Sequence, residues 1–298
     1  MVLALLVSAV VTTVTAPGAE AQSKCTHPAR VERNVRYLNI EGVEPGLTSL
    51  DIYEPPADGE CRKAPVVMWV HGGGWRKGDK RHAVTDKVRL FNDAGYVFVS
   101  VNYRLTNLRT PEPIRYPTHN EDVAAAVAWM VDNAADHGGD PKRIALLGHS
   151  AGAGIVASVG TDERYLAEHD LDLDALRCVG PLDTQAFDVS AVIDGGGLSA
   201  VLYRGIFGTD PEQVRDASPL THVEAGKSIP DMLLVERGEP ARRAILEKFA
   251  DALRDAKVDV TVIDGSALTH GQVNTQIGAP DDQVMTRTVM KFLRSCFD

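Results

Sequence analysis

Gly148-His149-Ser150-Ala151-Gly152 places a hydroxyl where it can become a nucleophile. An apolar run at 143–147 precedes it and a run of small residues at 153–157 follows, so the stretch reads as strand, sharp turn, helix. A serine at the apex of so tight a turn leaves no room for side chains two residues either side, which accounts for Gly148 and Gly152. The helix beyond it directs the positive end of its dipole at the hydroxyl. A serine that attacks a carbonyl also needs N–H donors for the oxyanion and a base for its proton. His71-Gly72-Gly73-Gly74-Trp75 suits the first need, because glycines let the main chain approach a ligand closely. A flexible glycine-rich turn would have the same composition. The position directly after a buried strand, ahead of the serine turn, favours donors at Gly73, Gly74 and Ala151. Each such donor is worth roughly 100- to 1,000-fold in rate.

These residues must be held by a scaffold. The polarity of residues 34–40 and 47–53 alternates, as in half-exposed antiparallel edge strands, with Glu44-Pro45-Gly46 as the turn. Residues 65–70 and 97–101 are continuous apolar runs, the mark of parallel strands buried on both faces. Further strands are predicted at 176–182, 232–236 and 258–263, and helices at 86–94, 119–135, 241–256 and 282–292. Strand and helix alternate without an internal repeat, which predicts an α/β fold with a doubly wound, mostly parallel sheet. Ligands bind such sheets at the carboxyl ends of the strands, where Ser150 lies. Residues 186–226 break the alternation and read as a small cap inserted over the site, with Leu198, Tyr203, Ile206 and Phe207 lining a substrate pocket.

The chain has 298 residues, 24% charged and 44% apolar, an ordinary globular composition. Its net charge of −10 argues against nucleic acid or an anionic membrane surface as a partner. Residues 1–21 are apolar or small up to Ala19-Glu20-Ala21, an A-x-A cleavage pattern. They read as a signal peptide, leaving residues 22–298 as a single secreted or periplasmic domain with no membrane span. No Lys or Arg precedes the apolar run. The alternative, an N-terminal membrane anchor, needs roughly 20 apolar residues. Cys25, Cys61, Cys178 and Cys296 lack metal-binding spacing. In an exported chain they suggest two disulfides, Cys25–Cys61 and Cys178–Cys296, against four buried thiols.

Together the segments at 71–75, Asn102-Tyr103-Arg104, Gly139-Asp140-Pro141-Lys142-Arg143-Ile144 and 148–152 resemble the carboxylesterases of the α/β-hydrolase fold. The branch they resemble includes hormone-sensitive-lipase-like esterases, kynurenine formamidases and bacterial feruloyl or acetyl esterases. The resemblance runs in order over residues 34–298. It implies Ser150 as nucleophile, Gly73, Gly74 and Ala151 as the oxyanion hole, and a base in the loop after the last strand, where His270 sits. Of the nine histidines, His71 reads as a support for the glycine loop, His149 as pointing away from Ser150, and His222 as part of the cap. Asp122 and Asp140 read as structural. The family's usual acid follows the strand at 232–236, but Arg237-Gly238-Glu239-Pro240-Ala241-Arg242 has no aspartate. Asp183, at the end of the preceding strand, is the favoured acid; Glu239, Asp188 and Asp264 are the alternatives. The chemistry so implied is hydrolysis of small to medium carboxylic esters through an acyl-enzyme, with no cofactor or metal required. An amidase such as an arylformamidase, or a binding protein without catalysis, are the competing readings.

Overall fold

In the computed structural model, residues 26–58 and 63–298 are described. Strands and helices alternate through residues 64–182 and again through residues 231–297. In chain order they are β1 (Arg30–Arg36), β2 (Ser49–Glu54), β3 (Ala64–Val70), α1 (Thr85–Asp93), β4 (Val97–Val101), α2 (Thr118–Asn133), β5 (Gly139–His149), α3 (Ala151–Thr161) and β6 (Cys178–Leu182). Then follow α4 (Val189–Asp194), α5 (Gly197–Phe207), α6 (Pro211–Asp216), β7 (Asp231–Glu236), α7 (Pro240–Asp255), β8 (Val260–Asp264), α8 (His270–Thr275) and α9 (Met285–Phe297). These eight strands form one sheet in the order β8-β7-β6-β5-β3-β4-β2-β1, and among the described residues Thr26–His27 and Ala57–Asp58 pair separately as a two-residue antiparallel ladder. Neighbours from β8 to β4 run parallel; β2 is antiparallel to both β4 and β1. This is the doubly wound, mostly parallel sheet that the sequence pattern predicts.

The apolar runs are explained by burial on both faces. Along β3, Val66, Met68 and Val70 enter one core with Val123 and Val127 of α2 and Ile155 of α3. Val67 and Trp69 enter the other, with Phe91 of α1 and Val289 and Leu293 of α9. Each buried side chain of this size contributes roughly 1.5–3 kcal/mol. Cys178 on β6 and Cys296 on α9 are joined by a disulfide, with Cα atoms 6.0 Å apart. The Cys25–Cys61 pairing and the signal peptide lie outside the described residues.

The first two strands differ from their expected form. β1 begins at Arg30 and is almost wholly exposed, whereas every residue of β2 is buried. β2 is an interior strand, and its polar residues are matched inside: Asp51 accepts from Arg81 Nε at 3.0 Å, and Ser49 Oγ from Lys80 Nζ at 2.9 Å. Alternating polarity here reflects a buried polar network rather than a solvent-facing side. Residues 45–48, expected as a turn and strand start, form a 3-10 helix.

Two features of the topology prepare the site. The ladder between β6 and β7 covers only Cys178–Val179 against Asp231–Met232, so the carboxyl ends of the two strands part. Residues 186–226 fold into α4, α5, α6 and a 3-10 turn at Pro219–His222 between these strands. Among the described residues, no helix is long and apolar enough to cross a membrane.

Candidate active site

Ser150 sits between β5 and α3 with φ 59° and ψ −116°, outside the regions an L-residue ordinarily occupies. The flanking glycines are required by close approach. A Cβ on Gly148 would lie 2.5 Å from the Gly152 carbonyl oxygen, and one on Gly152 would lie 2.3 Å from that of Val70. The turn therefore fits only glycine at both positions, and it leaves the serine half-buried at the sheet edge.

His270 reaches this hydroxyl: its Nε2 is 2.8 Å from Ser150 Oγ. Its Nδ1 is 2.6 Å from Asp183 Oδ2. A carboxylate only accepts, so Nδ1 carries the proton and donates, which leaves Nε2 as the acceptor for the serine O–H. The sequence places His270 in a loop, but it opens α8. Thr269 and Gln272 form a capping box there, each side chain bonding the other's backbone N–H. The Thr-x-x-Gln spacing is the sequence signal for that helix start.

Asp183 follows β6 directly, with φ 65°. Its carboxylate is fully buried and receives two guanidiniums besides the imidazole. Arg237 Nη1 donates to Oδ2 at 2.9 Å, and Arg242 donates to Oδ1 through Nε at 3.1 Å and through Nη2. Burial alone would push this carboxyl up. The hydrogen bond from His270 and the charges of Arg242 and Arg237 outweigh it and hold the group below its usual value. The other acids stand elsewhere. Glu239 is exposed at the start of α7, Asp188 binds Lys248 at 2.9 Å, and Asp264 is exposed and accepts from Ser266. The loop after β7, without an aspartate, instead supplies Arg237, and the first turn of α7 supplies Arg242, to hold the carboxylate that follows the preceding strand.

The glycine loop turns sharply, with the N–H groups of Arg76 and Lys77 both donating to the Gly73 carbonyl. Gly73 has φ 125°, and a Cβ there would strike the Lys77 carbonyl oxygen at 1.8 Å. Among the described residues, no acceptor pairs with the N–H groups of Gly73, Gly74 or Ala151. Gly73 and Gly74 line the same cavity as Ser150 and His270, whereas Ala151 is buried at the start of α3. His71 is buried, stacks on Tyr103 at 4.5 Å and bonds the Gly72 carbonyl, so it braces the loop. Burial lowers its pKa.

Two supports were not anticipated. His149, expected to point away from Ser150, lines the same cavity, with its ring 4.6 Å from that of His270 and its Nε2 donating to the backbone carbonyl of His270 at 2.8 Å. Burial, then the nearby His270, lowers its pKa to about 4, so it stays neutral and keeps that donor. Lys87 on α1 is buried, and its ammonium donates to both carbonyl oxygens of Asn274 on α8, at 2.7 and 2.8 Å, and to Ala83 O at 2.9 Å. Three acceptors match three N–H groups, and the bonds tie the helix that carries His270 to α1. A lone lysine within an amphipathic helix gives no sequence signal for such a role.

The cavity at the serine has a volume of about 1210 Å³. The expected pocket residues of the insertion need correction. Leu198 is 91% exposed, and Tyr203, Ile206 and Phe207 are buried away from the cavity. Tyr203 and Phe207 lie one turn apart and meet Trp75 edge-on at 5.5 and 5.1 Å. The next face of α5 supplies the lining residue instead, Leu202, beside Gly74. His222 bonds the Asp216 carbonyl and takes no part in the site. Asp122 receives Arg104 in a buried ion pair at 2.6 Å, and Asp140 binds Arg143 at 3.0 Å; both are structural, as expected. His149, Asp183 and His270 offer ligand atoms within 4.8 Å of one another. In this arrangement those atoms are engaged in hydrogen bonds, with Asp183 already matched by two arginines.

Residues 50–205 match the family model described as BD-FAE. The chain belongs to the BD-FAE family. This BD-FAE chain is 38% identical to esterase LipQ of Mycobacterium tuberculosis over 108 residues, 36% of this chain and 24% of LipQ. It is 40% identical to carboxylesterase NlhH of the same organism over 122 residues, 38% of this chain and 34% of NlhH. The matched segment thus spans about a quarter to a third of each relative's length. An inhibited esterase B from Lactobacillus rhamnosis superposes with a TM-score of 0.71 at 19% identity, covering 93% of the BD-FAE chain and 89% of esterase B. The fold is therefore that of the α/β-hydrolase esterases.

Proposed function

We propose that the chain is a serine carboxylesterase acting on small to medium carboxylic esters. The observation that carries this reading is the continuous hydrogen-bonded line Ser150–His270–Asp183, at 2.8 and 2.6 Å, at the wall of an open cavity. His270 Nε2 takes the serine proton as Oγ attacks the ester carbonyl. The oxyanion is received by the N–H groups of Gly73, Gly74 and Ala151. The tetrahedral intermediate collapses, the alcohol leaves with the proton from His270, and an acyl-serine remains. Water gives a proton to His270 and attacks the acyl group. The acid departs, and the proton returns to Ser150. Asp183 holds the imidazole in the required tautomer and stabilises its cation. Esterase relatives and esterase neighbours in structure support the same reaction class.

The disulfide between Cys178 and Cys296, together with the A-x-A segment at 19–21, supports a secreted or periplasmic location. The test of function is turnover of nitrophenyl acetate by the parent and by Ser150→Ala. The expected result is hydrolysis by the parent and loss of at least about a thousandfold in the variant. Hydrolysis by the variant at the parent rate would refute the assignment.

A further inference from the structure

The charge of the active-site wall is opposite to that of the chain. The protein has 41 acidic and 31 basic Lys and Arg residues, for a net charge of −10. Yet the cavity at Ser150 is lined by Arg76, Lys77 and Arg109 and by no aspartate or glutamate. All three cations are exposed, and among the described residues none is paired with a carboxylate. The nearby acids are turned elsewhere. Asp79 accepts from Asn102 Nδ2 at 3.1 Å and from the Arg81 N–H at 2.9 Å and is not on the wall. Asp183 is buried behind His270 and already neutralised by Arg237 and Arg242.

The cations are also set on the elements that build the site. Arg76 and Lys77 lie on the turn that closes back on Gly73, so their backbone is fixed relative to the proposed oxyanion donors. Arg109 lies on the opposite loop, which is tied to the same turn by the Thr106 N–H donating to the Trp75 carbonyl at 2.8 Å. Leu105 and Leu202 are the aliphatic side chains on the same wall. An anion at this wall would meet three cationic side chains that no carboxylate of the described residues neutralises.

We propose that the preferred substrate of this site is an ester that carries an anionic group, a carboxylate or a phosphate, held by Arg76, Lys77 and Arg109 while its ester carbonyl lies at Ser150. The proposal rests on the esterase reading above and specifies its substrate class. A cationic cleft on an acidic protein concentrates an anionic substrate locally and repels a cationic one, and both effects weaken as salt screens the field.

The experiment compares nitrophenyl esters that share one reacting bond. The hemisuccinate carries a carboxylate on the acyl side and is compared with the uncharged butyrate. A butyrate ester of a carboxyphenol and one of a phosphorylated phenol move the anion to the leaving group, with a carbamoyl-phenol butyrate as their neutral partner. A trimethylammonium-bearing butyrate supplies the cation. The expected result at low salt is a kcat/KM at least about tenfold higher for an anionic ester than for its neutral partner, with the cationic ester the poorest. The gap should narrow by more than half between about 20 mM and about 500 mM salt. The arm with the larger gap identifies the side of the ester, and whether a carboxylate or a phosphate is preferred. In the triple substitution Arg76→Gln, Lys77→Gln, Arg109→Gln, the anionic-to-neutral ratio should fall at least fivefold, on the order of the loss of exposed ion pairs. Lys77→Glu should lower that ratio as well. Equal kcat/KM for anionic and neutral esters at low salt, or an unchanged ratio in the triple variant, would overturn the proposal. If the neutral esters are turned over in a Ser150-dependent way while the anionic ones gain nothing, only the substrate class fails. If no ester of any charge is turned over, the esterase reading itself fails.

Discussion

Replacing Asp183 by asparagine changes one atom and reverses the hydrogen-bond logic of the site. Oδ1 receives Arg242, and Oδ2 receives Arg237 and His270. An asparagine would turn its single oxygen to the Arg242 side and present its NH₂ to Arg237 and to His270 Nδ1. Nδ1 would then have to accept, the ring proton would move to Nε2, and Nε2 could no longer take the proton of Ser150. The lost charge adds to this. A carboxylate and an imidazolium whose charges lie about 4 Å apart interact by about 4 kcal/mol at an effective dielectric of about 20, or about a thousandfold in rate. With the wrong tautomer included, kcat should fall by about 10³- to 10⁴-fold. The substitution also leaves Arg237 and Arg242, each less than a fifth exposed, without their counter-charge. Unfolding free energy should fall by about 3 kcal/mol. Nitrophenyl acetate turnover and a urea titration on the same preparation separate the two effects. Glu239→Gln serves as the comparison and should change kcat by less than about threefold, because the side chain is exposed at the start of α7. Activity of Asp183→Asn within tenfold of the parent, or a hundredfold loss in Glu239→Gln, would refute the assignment of the acid.

Three further outcomes follow from the same contacts. The folded carboxyl of Asp183 has a lowered pKa, so its stabilisation is complete above the ordinary carboxylate value, about 4, and is lost as pH falls through the lower folded value; the stability difference between the parent and Asp183→Asn should be full at about pH 7 and shrink below about pH 4 in denaturant titrations. Lys87→Met removes the donors to Asn274 and Ala83 and should cost about 2–4 kcal/mol in urea unfolding, with kcat falling as α8 loosens; unchanged stability would show that the ammonium does not tie α8 to α1. Reducing the Cys178–Cys296 bond, which closes 118 residues, should lower unfolding free energy by up to about 4–5 kcal/mol, measured with and without reductant.

Much of this arrangement is legible in the sequence because its signals are compact motifs and continuous apolar runs. Gly148 is forced by backbone contacts under 3 Å within its own turn and Gly152 by the carbonyls of Val70 and His71 at the end of β3, while the apolar runs of β3 and β4 follow from burial on two faces. Asp183 could be favoured because the loop after β7 offered no aspartate. What remained hidden depends on contacts between distant residues. The role of Arg237 and Arg242 emerges only where β6 and β7 part and the carboxylate of Asp183 lies between them. The polar residues of β2 suggest an exposed edge until Lys80 and Arg81 fold over them. Within 197–207, helical phase decides that Leu202 faces the cavity while Tyr203 and Phe207 grip Trp75, and the broken pattern there did not predict a helix at all.

If Ser150 is the nucleophile activated by His270 and Asp183, its Oγ must be trapped by a tetrahedral mimic of the reaction. The most direct measurement is intact and peptide mass after reaction with a nitrophenyl alkylphosphonate, which mimics the tetrahedral intermediate and traps only an activated serine. One adduct per chain is expected, on the peptide that contains Ser150, forming rapidly in the parent, slowly in Asp183→Asn and not at all in Ser150→Ala. An adduct on another residue, or labelling of Ser150→Ala at the parent rate, would contradict that assignment.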